Sequence, residues 1–191
     1  IFMDKNRKLH TRPSKVDSLQ DEDGDEMTLI KHISFVDAPG HESFMSNMIS
    51  GSAVMDACIL VIATNEKVPQ PQTYEHLQAV ENIDIKDYIV LQNKMDLIQE
   101  LDNELKLKQI KNFISKTKAN GSNIIPSSIQ KNINSDEVIK SIVNLPKFER
   151  NVNKTTRMVI IRSFDINKAH KSYKKLAGGV VGGSLTQGLL K

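Results

Sequence analysis

The sequence predicts an α/β fold, in which a parallel sheet with flanking helices is followed by the start of an antiparallel β-barrel. Between residues 31 and 145, short apolar runs alternate with helical patterns, an order typical of parallel sheets. After Met158, two glycine pairs separate short apolar runs with no helix between them, which favours antiparallel strands. We therefore expect a mobile loop or linker over residues 1–30, an α/β domain over 31–150 and an incomplete second domain over 151–191.

The composition is that of an ordinary globular protein, with 39% hydrophobic and 26% charged residues. No apolar run reaches the roughly 18 residues of a membrane span, so we expect a cytoplasmic protein without a membrane partner. The single cysteine, Cys58, excludes an internal disulfide and lies in an apolar run that favours a buried thiol. Residues 147–191 carry ten Lys/Arg against two acidic residues, which suits either a phosphate-backbone partner or a solvated face.

The first half of the α/β pattern is predicted to hold two strands and a helix. Residues 1–27 show no hydrophobic periodicity and carry blocks of each charge, which is typical of a loop. Residues 31–37 are predicted to form a short strand, and residues 42–51 a helix that stops at its glycine. Ala57–Ala63 is a continuous apolar run, which predicts a strand covered on both faces.

The second half is predicted from the same kinds of spacing. Ser135 suits the N-cap of the last helix. The helices cover residues 72–82, 98–118 and 136–143, and the strands cover 88–91, 123–125 and 158–164. The longest helix carries an apolar stripe that we expect to face the sheet, formed by Leu101, Leu105, Ile110, Phe113 and Ile114.

The first candidate site, Asp37-Ala38-Pro39-Gly40-His41, lies where a predicted strand ends and a helix begins. In open α/β sheets, ligands gather at the carboxyl ends of strands. Asp37 there can hold Mg²⁺ through water, and Gly40 leaves room for its backbone N–H to approach a terminal phosphate. His41 can then orient an attacking water. The alternative is a Pro-Gly turn with an exposed histidine.

The second candidate site, Asn93-Lys94-Met95-Asp96, directly follows another buried strand. The Asp96 carboxylate can accept hydrogen bonds from both N1–H and the 2-amino group of guanine, a donor pair that adenine lacks. Lys94 can lay its alkyl stem along the base plane, and the Asn93 amide can tie neighbouring loops together. The pattern therefore predicts recognition of a guanine base.

The third candidate site, Ser127-Ser128-Ile129-Gln130, follows the next strand along the chain. A backbone N–H at Ser128 or Ile129 can reach the O6 edge of guanine. Considered alone, the segment is better explained as a serine-rich turn. Its value lies in its order, because the metal, base and base-edge sites follow three successive predicted strands.

These residues resemble the translational GTPases as a class. The stretches that carry the resemblance are Asp37-Ala38-Pro39-Gly40-His41, residues 69–77 and Asn93-Lys94-Met95-Asp96. Residues 51–57, 91–94, 161–168 and 178–184 narrow it to the gamma subunits of eukaryotic and archaeal translation initiation factor 2. The resemblance covers residues 30–191, and it makes residues 31–150 a partial GTP-binding domain.

The resemblance implies a P-loop-GTPase-like sheet followed by β-barrels, with GTP or GDP and Mg²⁺ as cofactors. It implies a GTP-hydrolysing factor that delivers initiator methionyl-tRNA to the small ribosomal subunit. Its other implied partners are alpha and beta subunits of the same factor, and GTPase-activating and nucleotide-exchange factors. By motif, Asp37 and Gly40 would contact magnesium and phosphate, His41 would position water, and Asn93, Lys94, Asp96, Ser128 and Ile129 would recognise guanine.

The sequence departs from that family in several places. The 191 residues contain no Gly-x-x-x-x-Gly-Lys-Ser/Thr phosphate loop, and the switch threonine and zinc-knuckle cysteines of the family are missing. Ala38 replaces the usual cysteine, and Ile129 replaces the usual alanine at the base edge. We therefore expect no measurable GTP hydrolysis by these residues alone. Alternatives are a degenerate scaffold that binds tRNA or subunits, and a related tRNA-delivery factor such as the selenocysteine-specific elongation factor.

Overall fold

A computed structural model describes residues 1–12, 18–20, 23–37, 55–83, 85–168 and 172–190. The predicted helix over residues 42–51, together with Gly40 and His41, lies outside these ranges. The described strands are β1 (Phe2–Met3), β2 (Leu9–His10), β3 (Ser18–Gln20), β4 (Glu26–Leu29), β5 (Ala57–Ala63), β6 (Asp87–Asn93), β7 (Asn123–Pro126), β8 (Arg157–Asp165) and β9 (Gly179–Gln187). The described α-helices are α1 (Pro71–Glu81), α2 (Glu100–Ile114) and α3 (Ser135–Asn144).

The centre of the fold is the predicted parallel sheet, with strand order β5-β6-β7. Val90 of β6 is fully buried and pairs with Leu60 on one side and Ile124 on the other. Alternate residues of β6 point to opposite faces. One face packs against α1 and α2, and the other packs against α3. The parallel sheet with flanking helices is therefore confirmed.

Residues 31–37 do not form the predicted strand, and Phe35 is 72% exposed. The backbone N–H groups of Ile30 and Lys31 instead donate to the Ile1 carbonyl at 2.9 and 3.3 Å. The Lys31 ammonium donates to the carbonyls of Ile142, Val143 and Leu145 at the end of α3. Carbonyls in the last turn of a helix lack intrahelical N–H partners, and a cation there also complements the helix dipole. Of the three, the Ile142 carbonyl also accepts from the Leu145 N–H at 3.3 Å. The segment is thus held against α3 instead of pairing in a sheet.

The N-terminal residues contain strands, so the prediction that residues 1–27 lack regular structure is wrong. Strands β1 to β4 form an antiparallel sheet in the order β2-β1-β4-β3. Phe2 and Met27 are 1% and 2% exposed and supply its buried side chains. Strands of two to four residues are too short to show a periodicity in the sequence, which is why the pattern was not visible there.

Helix α2 is shorter than predicted, and its apolar stripe is only half buried. Ile110 and Ile114 are 0% and 3% exposed and lie in the core. Leu101 and Leu105 are 80% and 54% exposed, so their predicted place against the sheet is wrong. Leu101 lies nine residues before Ile110, half a turn round the helix, so it faces away from the core, while Asn103 contacts Met95 in the loop after β6.

Two smaller predictions also need correction. The N-cap of α3 is Asn134, not Ser135; its backbone is left-handed, and its amide donates to the Pro126 carbonyl at 2.6 Å. Strand β5 was expected to be covered on both faces, but Val61 is 52% exposed. Within the described residues, β5 has a strand neighbour on one side only, so its sheet edge is less covered than that of β6.

Strands β8 and β9 form the expected antiparallel pair, with Val159 opposite Ser184. Gly183 permits the close approach of the two strands, because a Cβ atom there would lie 2.0 Å from the Val159 carbonyl oxygen. The antiparallel segment is confirmed, and its continuation into a barrel stays a prediction. No helix in the described ranges is both long and apolar enough to cross a bilayer.

Burial raises the pKa of the Cys58 thiol to about 11. Because the thiolate is the nucleophile, we expect Cys58 to react with iodoacetamide at pH 8 at least about a hundredfold more slowly in the native protein than in urea. Mass-spectrometric alkylation kinetics measure both rates. Similar rates in the two states would show that the native thiol is accessible and ionised.

Candidate functional site

The loops that follow β5 and β6 are joined at the carboxyl edge of the parallel sheet. Thr64, which directly follows β5, is 0% exposed. Its backbone N–H and its Oγ1 hydroxyl both donate to the Asn93 carbonyl, each at 2.9 Å. The peptide that leads from Asn93 to Lys94 is therefore fixed from the β5 side.

The loops that follow β6 and β7 are joined in the same way. The Ser127 N–H donates to the Gln92 carbonyl at 2.8 Å, and the Met95 N–H donates to the Ser127 carbonyl at 3.3 Å. The Asn93 side chain also contributes, because its Oδ1 accepts from the Ile129 N–H at 3.3 Å. Three loops that are far apart in sequence thus converge around Asn93.

Lys94 and Asp96 leave this junction toward solvent. Lys94 has a left-handed backbone with φ of 62°, which turns the chain from β6 into the short 3₁₀ helix Met95–Leu97. Its ammonium lies 3.9 Å from the Glu66 carboxylate, an exposed ion pair that water screens. Asp96 is exposed and forms no hydrogen bond or ion pair with the described residues. Its carboxylate is therefore free to accept donors from a ligand.

Ser128 and Ile129 occupy different positions in the third loop. Ser128 is 1% exposed; its N–H donates to the Ile133 carbonyl, and its Oγ accepts from the Lys131 N–H. Ser128 thus supports the loop from beneath. Ile129 is 52% exposed, and its N–H makes a long contact with Asn93 that a nearer carbonyl oxygen could replace. Of the two residues, Ile129 is the one whose backbone can meet a ligand.

The metal end of the predicted site is only partly described. Asp37 is exposed, and Gly40 and His41 lie outside the described residues. Among the residues that the structure describes, no three His, Cys, Asp or Glu side chains form a metal cluster. One carboxylate still fits a magnesium ion that takes its other ligands from water and phosphate. The convergence of Asp37 and Asp96 on one cavity stays a prediction.

Two cavities lie away from this edge of the sheet. One, of about 420 Å³, separates α1 from α2 and is lined in part by Tyr74 and Phe113. The other, of about 630 Å³, lies near the end of α2 and the start of β7. Neither is lined by Asn93, Lys94, Asp96 or Ile129, so neither is the predicted nucleotide site.

Sequence reasoning missed several residues that shape the site. Thr64 could have been suspected, because it is a hydroxyl residue at the carboxyl end of a buried strand. Gln92 and Asn103 carry no such signal: the Gln92 Nε2 donates to the Asn103 carbonyl, and the Asn103 Nδ2 donates to the Met95 carbonyl. These contacts join a strand, a helix and a loop that no sequence motif connects.

A parallel sheet with helices on both faces and joined loops at its carboxyl edge is the fold of the GTP-binding domains of translation factors. The sequence profile of the family described as "Elongation factor Tu GTP binding domain" matches residues 5–147. The chain therefore belongs to the elongation factor Tu GTP-binding-domain family. The match begins inside residues 1–30, the segment predicted to be a linker.

Within that family, the chain is similar in sequence to the gamma subunits of translation initiation factor 2. It is 49% identical over 171 residues to "Translation initiation factor 2 subunit gamma" of Methanothermobacter thermautotrophicus, covering 88% of this chain and 41% of the relative. It is 47% identical over 164 residues to "Eukaryotic translation initiation factor 2 subunit 3" of Drosophila melanogaster, covering 85% and 34%. The chain thus spans well under half of these relatives, and the resemblance predicted from the sequence is confirmed.

A solved structure is similar over most of the chain. The translation elongation factor SelB from Methanococcus maripaludis, in complex with the GTP analogue GppNHp, superposes with a TM-score of 0.66 at 27% sequence identity. The match covers 82% of this chain and 33% of the elongation factor. The fold is therefore shared with a translation elongation factor. Its sequence identity to this chain is much lower than that of the gamma subunits.

Proposed function

We propose that the chain is the GTP-binding part of a translation initiation factor subunit that binds and hydrolyses GTP. One observation carries the proposal: Asp96, whose carboxylate has no partner among the described residues, follows Asn93 in a loop that is tied to the loops on both sides. Because this loop is already ordered, a base that binds to Asp96 would not have to order the loop first.

The base end of the nucleotide would be held by four groups. Asp96 would accept from N1–H and the 2-amino group of guanine, and Lys94 would lay its alkyl stem along the base plane. The Ile129 N–H would donate to O6. That N–H would exchange its 3.3 Å contact with the Asn93 Oδ1 for guanine O6, and Asn93 would hold the junction through its carbonyl, which accepts from Thr64.

The phosphate end would be served by the residues around Asp37. Asp37 would hold Mg²⁺ through water, and Gly40 would bring its N–H close to the terminal phosphate. Bound magnesium would neutralise charge on the phosphate oxygens. His41 would orient the attacking water.

The partners follow from the relatives and from charge. A protein named as a subunit of an initiation factor acts with other subunits and with the ribosome, so we assign alpha and beta subunits and the small ribosomal subunit as partners. Initiator tRNA is assigned as the delivered ligand, and GTPase-activating and nucleotide-exchange factors as regulators. The ten Lys/Arg of residues 147–191 would meet the tRNA backbone. The proposed location is the cytoplasm.

The direct test is base selection by Asp96→Ala. We expect the full-length protein to bind GTP far more tightly than ATP, and the substitution to weaken GTP binding about a hundredfold while ATP binding stays weak. Competition of each nucleotide against a fluorescent GDP analogue measures both affinities. If Asp96→Ala still preferred GTP over ATP by the original factor, the assignment of the base site would be wrong.

The similarity to SelB favours a second candidate, a related tRNA-delivery elongation factor. Its lower identity, 27% against 49%, makes it the weaker of the two. The two candidates differ in the tRNA they select. Tighter GTP-dependent binding of selenocysteinyl-tRNA than of initiator methionyl-tRNA would favour the elongation factor.

A further inference from the structure

The first turns of α2 reach into the loop that carries Lys94 and Asp96. The Asn103 Nδ2 donates to the Met95 carbonyl at 3.0 Å. The Asn103 carbonyl in turn accepts from the Gln92 Nε2 at 2.9 Å. A short chain of hydrogen bonds therefore runs from strand β6 through helix α2 to the loop.

This series of hydrogen bonds ends on the peptide group that precedes Asp96. The Met95 carbonyl belongs to the peptide unit that joins Met95 to Asp96. The other backbone group of Met95, its N–H, donates to the Ser127 carbonyl at 3.3 Å. With both groups held, the peptide planes on either side of Met95 have little freedom to rotate, which restricts the backbone from which the Asp96 side chain leaves.

Stability alone does not explain why Gln92 and Asn103 occupy these positions. Asn103 is the fourth residue of α2, and its side-chain amide donates to the loop and not to its own helix. Gln92 is 1% exposed, and both its Oε1 and the Asn103 Oδ1 are buried without a partner in the described residues. Buried polar atoms without partners are rare in folded proteins, and each calls for an explanation. The arrangement is thus better explained by the loop it holds than by packing.

We propose that Asn103 is a positioning residue for base recognition, acting through the Met95 carbonyl on the direction of the Asp96 carboxylate. The inference rests on the proposed function, because it assumes that Asp96 reads guanine. It assigns to helix α2 a part in nucleotide selection that the sequence does not indicate. Gln92 supports Asn103 from the strand side.

Hypoxanthine separates this role from a general effect on folding. It retains the N1–H and O6 of guanine but lacks the 2-amino group. Asp96 can therefore accept only one hydrogen bond from hypoxanthine, against two from guanine. A misdirected Asp96 would weaken GDP more than IDP, whereas a loosened fold would weaken both by the same factor. The ratio of the two affinities therefore reports the direction of Asp96.

The test is Asn103→Asp, which places a carboxylate oxygen opposite the Met95 carbonyl and removes the donor. We expect GDP affinity to fall about tenfold, the size of one lost hydrogen bond, and IDP affinity to fall less than about threefold. An acidic residue near a helix N-terminus is favourable, so folding should survive, and thermal unfolding checks this. Asn112→Asp on the exposed face of the same helix is the matched control, with both affinities unchanged.

Each outcome decides the matter. An equal fall in GDP and IDP affinity, or no fall in either, would overturn the positioning role of Asn103. Equal binding of GDP and IDP by the unsubstituted protein would overturn the proposed function, and this inference with it. A preference for GDP that Asp96→Ala abolishes, but that Asn103→Asp leaves intact, would sink the inference alone.

Discussion

Replacement of Asp96 by asparagine is expected to exchange the base preference of the protein from guanine to xanthine. The amide keeps the size of the carboxylate but can donate as well as accept. Xanthine carries a carbonyl oxygen where guanine carries its 2-amino group, so the amide N–H₂ would meet an acceptor. We expect GDP affinity to fall about a hundredfold and XDP affinity to rise by a similar factor.

Competition of GDP and XDP against a fluorescent analogue of each measures this exchange. Asp102→Asn is the control, because Asp102 is an exposed carboxylate on the first turn of α2 and lies six residues from the site. Its substitution should change neither affinity. Loss of GDP binding in Asp96→Asn without any gain in XDP binding would mean that Asp96 supports the loop but does not touch the base.

The parallel sheet was predictable because its strands are buried and continuous in sequence. Ala57–Ala63 was predicted to the residue, and β6 and β7 differ from their predictions by at most two residues at an end. In strands covered by helices on both faces, apolar residues occur almost without interruption, although Val61 of β5 stays half exposed. The short-range pattern then contains nearly all the information that the fold requires.

The errors fall where distant contacts decide the structure. Residues 31–37 alternate like a strand, but Lys31 binds carbonyls 111 to 114 residues away at the end of α3. Local spacing cannot reveal such a partner. Local spacing also fails for Phe2 and Met27. Both are buried in a sheet whose strands are too short to show a period.

The candidate site was predictable in its chemistry but not in its support. Asn93, Lys94 and Asp96 follow a buried strand, and side chains of these types are needed to read guanine. Thr64 and Asn103 act on backbone carbonyls, which every residue possesses. Any residue type can supply the backbone carbonyl in such a contact, so the sequence does not indicate the partner. The supporting residues could be identified only from the fold.

The two ends of helix α2 should differ sharply in their contribution to stability. Ile110 is 0% exposed and lies in the core cluster between the helix and the sheet, whereas Leu101 is 80% exposed. Truncation of a buried isoleucine loses its transfer free energy and leaves a cavity. We expect Ile110→Ala to lower the free energy of unfolding by about 3–4 kcal/mol, and Leu101→Ala to change it by less than about 0.5 kcal/mol.

Urea unfolding followed by circular dichroism measures both variants, with the midpoint expected to shift and the slope to stay constant. The pair tests the predicted stripe, because nine residues separate Leu101 from Ile110 and place them half a turn apart on the helix. An equal loss of stability in the two variants would mean that the first turn of α2 packs against the protein and that Leu101 is buried in solution. A large loss for Ile110→Ala alone would agree with Ile110 facing the sheet and Leu101 facing solvent.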